Sequence, residues 1–213
     1  MQATQETAKR SPNIHPIHSL IAERWSPYAF STKAVEPEKL QSLMEAARWA
    51  ASSSNAQPWS FVFATRQHPQ EFEKLLSALV PFNQDWVRNA PVLAFSVARL
   101  NFDHNGQPNR HAFHDTGMAL ANLMTQATAL GLYVHGMAGF DVEKAREVLA
   151  LPEGYEPVAA FVVGYLGDPQ ELGEMLRDRH QAKRERKPLD AFVYSGKFGQ
   201  TAEFLSGSKA NAQ

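Results

Sequence analysis

From Val35, the stretch VEPEKLQSLMEAARWAA sets Leu40, Leu43, Met44 and Ala47 at intervals of three and four, the spacing of one apolar helix face. Pro37 suits the first turn, where a missing N–H costs nothing, so an amphipathic helix is expected here. The pattern changes at WSFVFATR, an aromatic and β-branched run that predicts a short strand. HPQEFEKLLSALV returns to helical spacing with Phe72, Leu75, Leu76 and Leu79 on one side, and PFNQDWVRNA reads as the loop after it. PVLAFSVAR is a buried strand candidate. FHDTGMALANLMTQATALG is apolar around much of its circumference, which predicts a long helix through the core, stopped by Gly131, with Gly117 marking a close helix contact.

Beyond it, LYVHGMAGFD reads as a strand breaking at Gly139, DVEKAREVLAL as a helix capped by Asp141, and EPVAAFVVGYLG as the clearest central strand. The basic segment RDRHQAKRERKPLDAFVY leads into FVYSGKFGQTAEFL, an aromatic arm whose exposed rings require a covering surface. Helices and strands mix without regular βαβ alternation, so the pattern favours an α+β layer architecture. One domain over residues 14–205 is expected, between a flexible polar start at 1–13 and a flexible tail at 206–213.

A chain of 213 residues can bury a substantial core in a single domain. Its 21 basic and 22 acidic residues leave none of the positive excess needed to hold a nucleic-acid backbone by charge. Without cysteine, it has no disulfide, zinc thiolate or thiol nucleophile, so redox chemistry requires a borrowed cofactor. The opening MQATQETAKRSPNIHP lacks the apolar centre of a signal peptide, and no later stretch approaches the ~20 apolar residues of a membrane span. A soluble cytoplasmic protein is expected.

The candidate chemistry lies in three places. Between the first long helix and the first strand, Ser52, Ser53, Ser54, Asn55 and Gln57 supply donors and acceptors without fixed charge. Arg24 and Ser26 near the start, with Arg184 and Arg186 near the end, are anion-binding types that could converge on one phosphate. The GMAGF break adds backbone groups. A flavin mononucleotide needs both kinds of partner, charged donors for its phosphate and neutral groups for its ring edge. Plainer readings compete: serines as ordinary capping, KRERK as a solvated charged face, and Arg24 with Trp25 as a surface cation–π pair. His111 and His114 beside Asp115 have the i,i+3 spacing of a metal pair, but no further ligands accompany them, and no metal is expected. There is no G-x-S-x-G elbow for a serine hydrolase, and no G-x-G-x-x-G or P-loop for a nucleotide.

In this order, from Ile17 to Phe198, the pieces resemble the FMN-dependent nitroreductase-like flavoproteins. RWSPYAF is similar to the family's Arg-x-Ser-x-Arg-x-Phe opening, which implies that Arg24, Trp25, Ser26 and Tyr28 belong to the phosphate, ribityl and ring contacts. Tyr28 stands where the family usually carries Arg or Lys and offers a neutral hydrogen bond in place of a cation. ASSSNAQPW resembles Pro-Ser-Ser-x-Asn-x-Gln-Pro-Trp, with Ala51 for the proline; in the family this loop reaches a flavin held largely by the other subunit. The resemblance further implies Asn83 near the pyrimidine edge, Ala138 and Gly139 facing flavin N5, and Arg184 and Arg186 closing the phosphate clamp.

The implied fold is a three-layer α/β/α sandwich with a mostly antiparallel central sheet and a C-terminal arm exchanged across a homodimer. The implied activity is a ping-pong cycle in which NAD(P)H reduces bound FMN and a nitroaromatic, quinone or related electron-poor acceptor reoxidises it. The flavin N5 carries the chemistry, so no catalytic side chain is expected, while Phe82, Trp86 and Phe113 are slot-lining candidates whose default place is the core. The same fold also suits an oxidase, a dehydrogenase, a dehalogenase or a non-catalytic flavin-binding protein, and a cofactor-free interaction protein remains an alternative.

Overall fold

The computed structural model describes residues 9–205; most of the expected flexible start and all of the expected flexible tail lie outside them. The chain divides into two compact units, Met1–Ala182 and Lys183–Gln213. In the first, the helices are α1 (Ser19–Glu23), α2 (Pro37–Arg48), α3 (Pro69–Leu76), α4 (Pro81–Val87), α5 (Ala112–Ala129), α6 (Val142–Val148) and α7 (Glu174–Gln181). The strands are β1 (Trp59–Thr65), β2 (Val92–Arg99), β3 (Tyr133–Met137) and β4 (Tyr155–Gly164), in spatial order β1-β2-β4-β3, with every pairing antiparallel.

Period-two alternation sorts each strand between two cores. Leu93 and Phe95 of β2 join Ala160 and Val162 of β4 on one face, beneath Phe72, Leu75 and Leu76 of α3, Trp86 and Val87 of α4, and Ala145 and Val148 of α6. Val92 and Ala94 join Phe161 and Val163 on the other, beneath Leu43 and Ala47 of α2 and Ala119, Leu123 and Ala127 of α5. Helices thus cover both faces, giving an α+β sandwich of three layers. β2 and β4 are the inner strands, and a fully buried ring such as Phe95 or Phe161 contributes about 1.5–3 kcal/mol.

Three expectations change. PFNQDWVRNA is not a loop: Pro81 opens α4, and Asn83, Trp86 and Val87, at intervals of three and four, turn inward. Its proline, asparagine and aspartate masked a short helix that tertiary burial stabilises. α5 does not run through the core but lies along one face, with Phe113 and Met118 exposed. Gly117 has open space where a Cβ would project, with no neighbouring atom within 4 Å, so it marks no close packing within the described chain. Gly131, by contrast, has φ +70 directly after α5, as a helix stop requires.

The second unit carries short 3-10 turns at Leu189–Ala191 and Glu203–Leu205, a bridge pairing Tyr194 with Thr201, and exposed Phe192, Phe198 and Phe204.

Candidate functional site

The expected site residues of the first unit fall into two sets, on opposite edges of the sheet. The first borders β3. After α1 the backbone is extended at Arg24, whose Nη1 lies 3.4 Å from the Ser26 hydroxyl. Trp25 is buried rather than paired with Arg24 on the surface: its ring is edge-on to Tyr133 and His180, and the cation above it is Lys9, 5.0 Å from the centroid. Tyr28 packs edge-on against His135 of β3 at 4.7 Å and Trp86 of α4 at 5.3 Å. His135 lies 2.7 Å from the Pro27 carbonyl through Nδ1. Burial first, then the charge of Arg24, pushes its pKa below the ordinary imidazole value, while the Pro27 hydrogen bond works in the opposite direction.

Next to this set, Asn83 meets the break after β3. Its Nδ2 donates to the Gly139 carbonyl at 2.9 Å, and its Oδ1 accepts from the Trp86 indole at 3.3 Å. The Val80 N–H also donates to the Gly139 carbonyl, at 3.1 Å. A Cβ on residue 139 would come within 2.5 Å of Asn83 Nδ2, so this lip must be bare backbone. Asn83 thus spends its amide nitrogen on Gly139 and its amide oxygen on Trp86. Of the slot-lining candidates, Trp86 is buried, Phe82 lies under Arg179 at 5.0 Å, and Phe113 is exposed on α5.

The second set is the serine loop before β1. Ser54, Asn55 and Gln57 have φ of 53, 53 and 46, three of the four positive values found at non-glycine residues among the described positions. Such strain persists only where the surroundings impose it, and here they do. Asp115, buried on α5, accepts the Ser53 N–H at 2.9 Å, while Arg99 donates to the Ala56 carbonyl at 2.9 Å. The Ser52 hydroxyl accepts the Gln57 N–H at 3.0 Å, and the Gln57 amide donates to the Asn55 carbonyl. The backbone is therefore tied from behind, and Ser54, Asn55 and Gln57 are left exposed. The loop is more than helix capping, because no side chain within it caps a helix end.

This geometry reassigns the histidine pair. His111 occupies the N-cap position of α5, His114 lies 3.0 Å from Asp115 through Nδ1, and no cluster of three or more His, Cys, Asp or Glu occurs among the described residues. Asp115 serves the serine loop, a role its sequence neighbours did not signal. His135 and His180 were also missed; only a lone histidine inside the LYVHGM strand run hinted at the first.

β1 and β3 are the two edge strands, with β2 and β4 between them, so roughly 14 Å of sheet separates their axes. Trp59 opens β1 opposite Ala98, which faces Glu156 at the start of β4; Met137 ends β3 opposite Ala160, and the chain continues towards that same end. The serine loop therefore lies at the same end of the sheet as the Ala138–Gly139 break but on the opposite edge, while the Trp25–Pro27 stretch runs beside β3 at Tyr133 and His135. Arg184 and Arg186 belong to the separate second unit, where Arg186 donates to the Glu185 carbonyl.

Comparison with known proteins is consistent in every direction. The Nitroreductase family model matches residues 21–165. An uncharacterized 15.4 kDa protein of Mycolicibacterium smegmatis is 38% identical over 90 residues, covering 42% of this chain and 60% of that one. A putative NADH dehydrogenase/NAD(P)H nitroreductase of Stenotrophomonas maltophilia is 30% identical over 162 residues, covering 68% and 81%. Among solved structures, an oxidoreductase containing FMN superposes with a TM-score of 0.84 at 33% identity, over 90% of this chain and 97% of that one.

Proposed function

The chain belongs to the nitroreductase family, and from that premise we propose that it is an FMN-dependent oxidoreductase that uses NAD(P)H to reduce nitroaromatics, quinones or related electron-poor acceptors. When bound, FMN would supply two-electron redox chemistry between NAD(P)H and the acceptor, in this reading by a ping-pong cycle. The chain supplies the holding groups. Arg24 offers the charge for a phosphate and Ser26 a hydroxyl, with Arg184 and Arg186 completing the clamp in this reading. Tyr28 offers a neutral hydrogen bond at the ring, and Ala138 and Gly139 offer backbone N–H groups to N5 in this reading.

The observation that carries the reading is the split of the site between two sheet edges. The serine loop has the neutral donors that a flavin ring edge needs, yet it stands across two strands from Arg24 and Gly139. Two copies bringing unlike edges together would complete two equivalent sites, so the functional unit in this proposal is a homodimer. The exposed Phe113 and Met118 on α5 and Trp49 after α2 are surfaces such a dimer would cover, and the aromatic arm would wrap the partner.

The test is the visible absorption spectrum of the purified protein under anaerobic conditions, before and after addition of NADH or NADPH. A bound-flavin spectrum that bleaches is expected. Flavin that stays oxidised with both donors would favour a flavin-binding protein or another donor, and no flavin after incubation with FMN would overturn the proposal.

A further inference from the structure

The Pro27–Tyr28 peptide, inside the segment assigned to the flavin, is gripped at both polar ends by imidazoles from distant parts of the chain. Its carbonyl oxygen lies 2.7 Å from Nδ1 of His135 on β3. Its N–H donates to Nδ1 of His180 on α7 at 3.3 Å, and the next N–H, of Ala29, donates to the same nitrogen at 3.3 Å. A carbonyl has no proton to give, so Nδ1 of His135 carries the hydrogen. Two N–H groups converge on Nδ1 of His180, so that nitrogen is bare and the ring is neutral. One peptide plane is thus held between two histidines of opposite tautomer.

Both rings are fixed from behind. His180 is 1% exposed and edge-on to Trp25 at 5.0 Å, while His135 lies between Tyr28 and Trp86, each 4.7 Å away by ring centroid. Pinning a peptide plane at its oxygen and its nitrogen sets its rotation, and with it the direction in which the Tyr28 side chain leaves the backbone. We propose that His135 and His180 are positioning residues for the cofactor segment, acting as a two-tautomer clasp on the Pro27–Tyr28 peptide. The proposal rests on the flavin reading for what the segment holds, but not for the clasp itself.

Replacement separates hydrogen bonding from packing. Asparagine at position 180 puts an acceptor oxygen near the place of Nδ1, and at position 135 an amide donor, whereas leucine fills the volume and offers neither. His180→Leu and His135→Leu are expected to weaken FMN binding about tenfold each, with His180→Asn and His135→Asn staying within about threefold of wild type. Leucine variants that bind as wild type does, or asparagine variants as weak as the leucine ones, would overturn the role. A second measurement needs neither variants nor flavin: two-bond 1H–15N imidazole spectra of the wild-type protein at neutral pH. His135 protonated at Nδ1 and His180 protonated at Nε2 are expected. Any other pair of forms overturns the clasp while leaving flavin binding intact; correct tautomers in a protein that binds no FMN overturn the flavin reading and, with it, the clasp's positioning role.

Discussion

The serine loop and the Arg24–Tyr28 segment border opposite edges of the same sheet, and they are held in unlike ways. The loop is strained in itself, with left-handed backbone at Ser54, Asn55 and Gln57, and it is restrained by a buried carboxylate and a guanidinium bonded to its main chain. The Arg24–Tyr28 segment is restrained from outside, by Tyr28 packed on Trp86 and by two neutral imidazoles on one peptide. A strained loop announces itself in local composition. A segment held by remote partners does not.

The largest test of this contrast falls on Asp115. Asp115→Ala leaves the Ser53 N–H without its partner and should cost about 1–3 kcal/mol in urea unfolding, with a marked loss of FMN affinity; Asp115→Asn, which keeps an acceptor, should recover most of both. Unchanged flavin binding in the alanine variant would mean the loop needs no anchor.

On the other side, the depressed pKa of His135 gives that region a pH dependence. The native state disfavours the proton relative to the unfolded chain, so this contribution is complete above the ordinary value of 6.5 and is lost as pH falls towards the lower native pKa. His135→Asn removes the titration and keeps a donor for Pro27. Its unfolding free energy should fall less steeply below pH 6.5 than wild type does, by at most about 1.4 kcal/mol per pH unit. Parallel curves would show that the buried imidazole does not titrate differently on folding.

The smallest effect sharpens the strain argument. Glycine relieves the steric cost of positive φ, so Ser54→Gly should stabilise the fold by up to ~1 kcal/mol and Asn55→Gly by less, because asparagine tolerates that region better. Thermal melts check the sign. If the strain serves the site, both variants should bind FMN more weakly even as they melt higher.

Much of the fold was legible in the chain because its signals are local. Leu40, Leu43 and Ala47 announced α2, Asp141 capped α6 through the Lys144 N–H, and EPVAAFVVGYLG became the inner strand β4. α4 was not, since a seven-residue helix opening with proline has too little periodicity to be read without the core that buries Trp86. The serine loop stood out by composition, whereas nothing local marked Asp115, 62 positions from Ser53, as its anchor.

The sequence by itself determined the longer helices and the strands, the apolar pattern of those strands and the residue types a flavin would require, because periodicity and motif spacing act over a few residues. Only the tertiary structure decided that β1 and β3 are opposite edges, that Asn83 is spent on Gly139, and that His135 and His180, 108 and 152 positions from their partners, meet on one peptide. Those pairings depend on how the layers pack, and packing is settled by the whole core at once rather than by any stretch of chain.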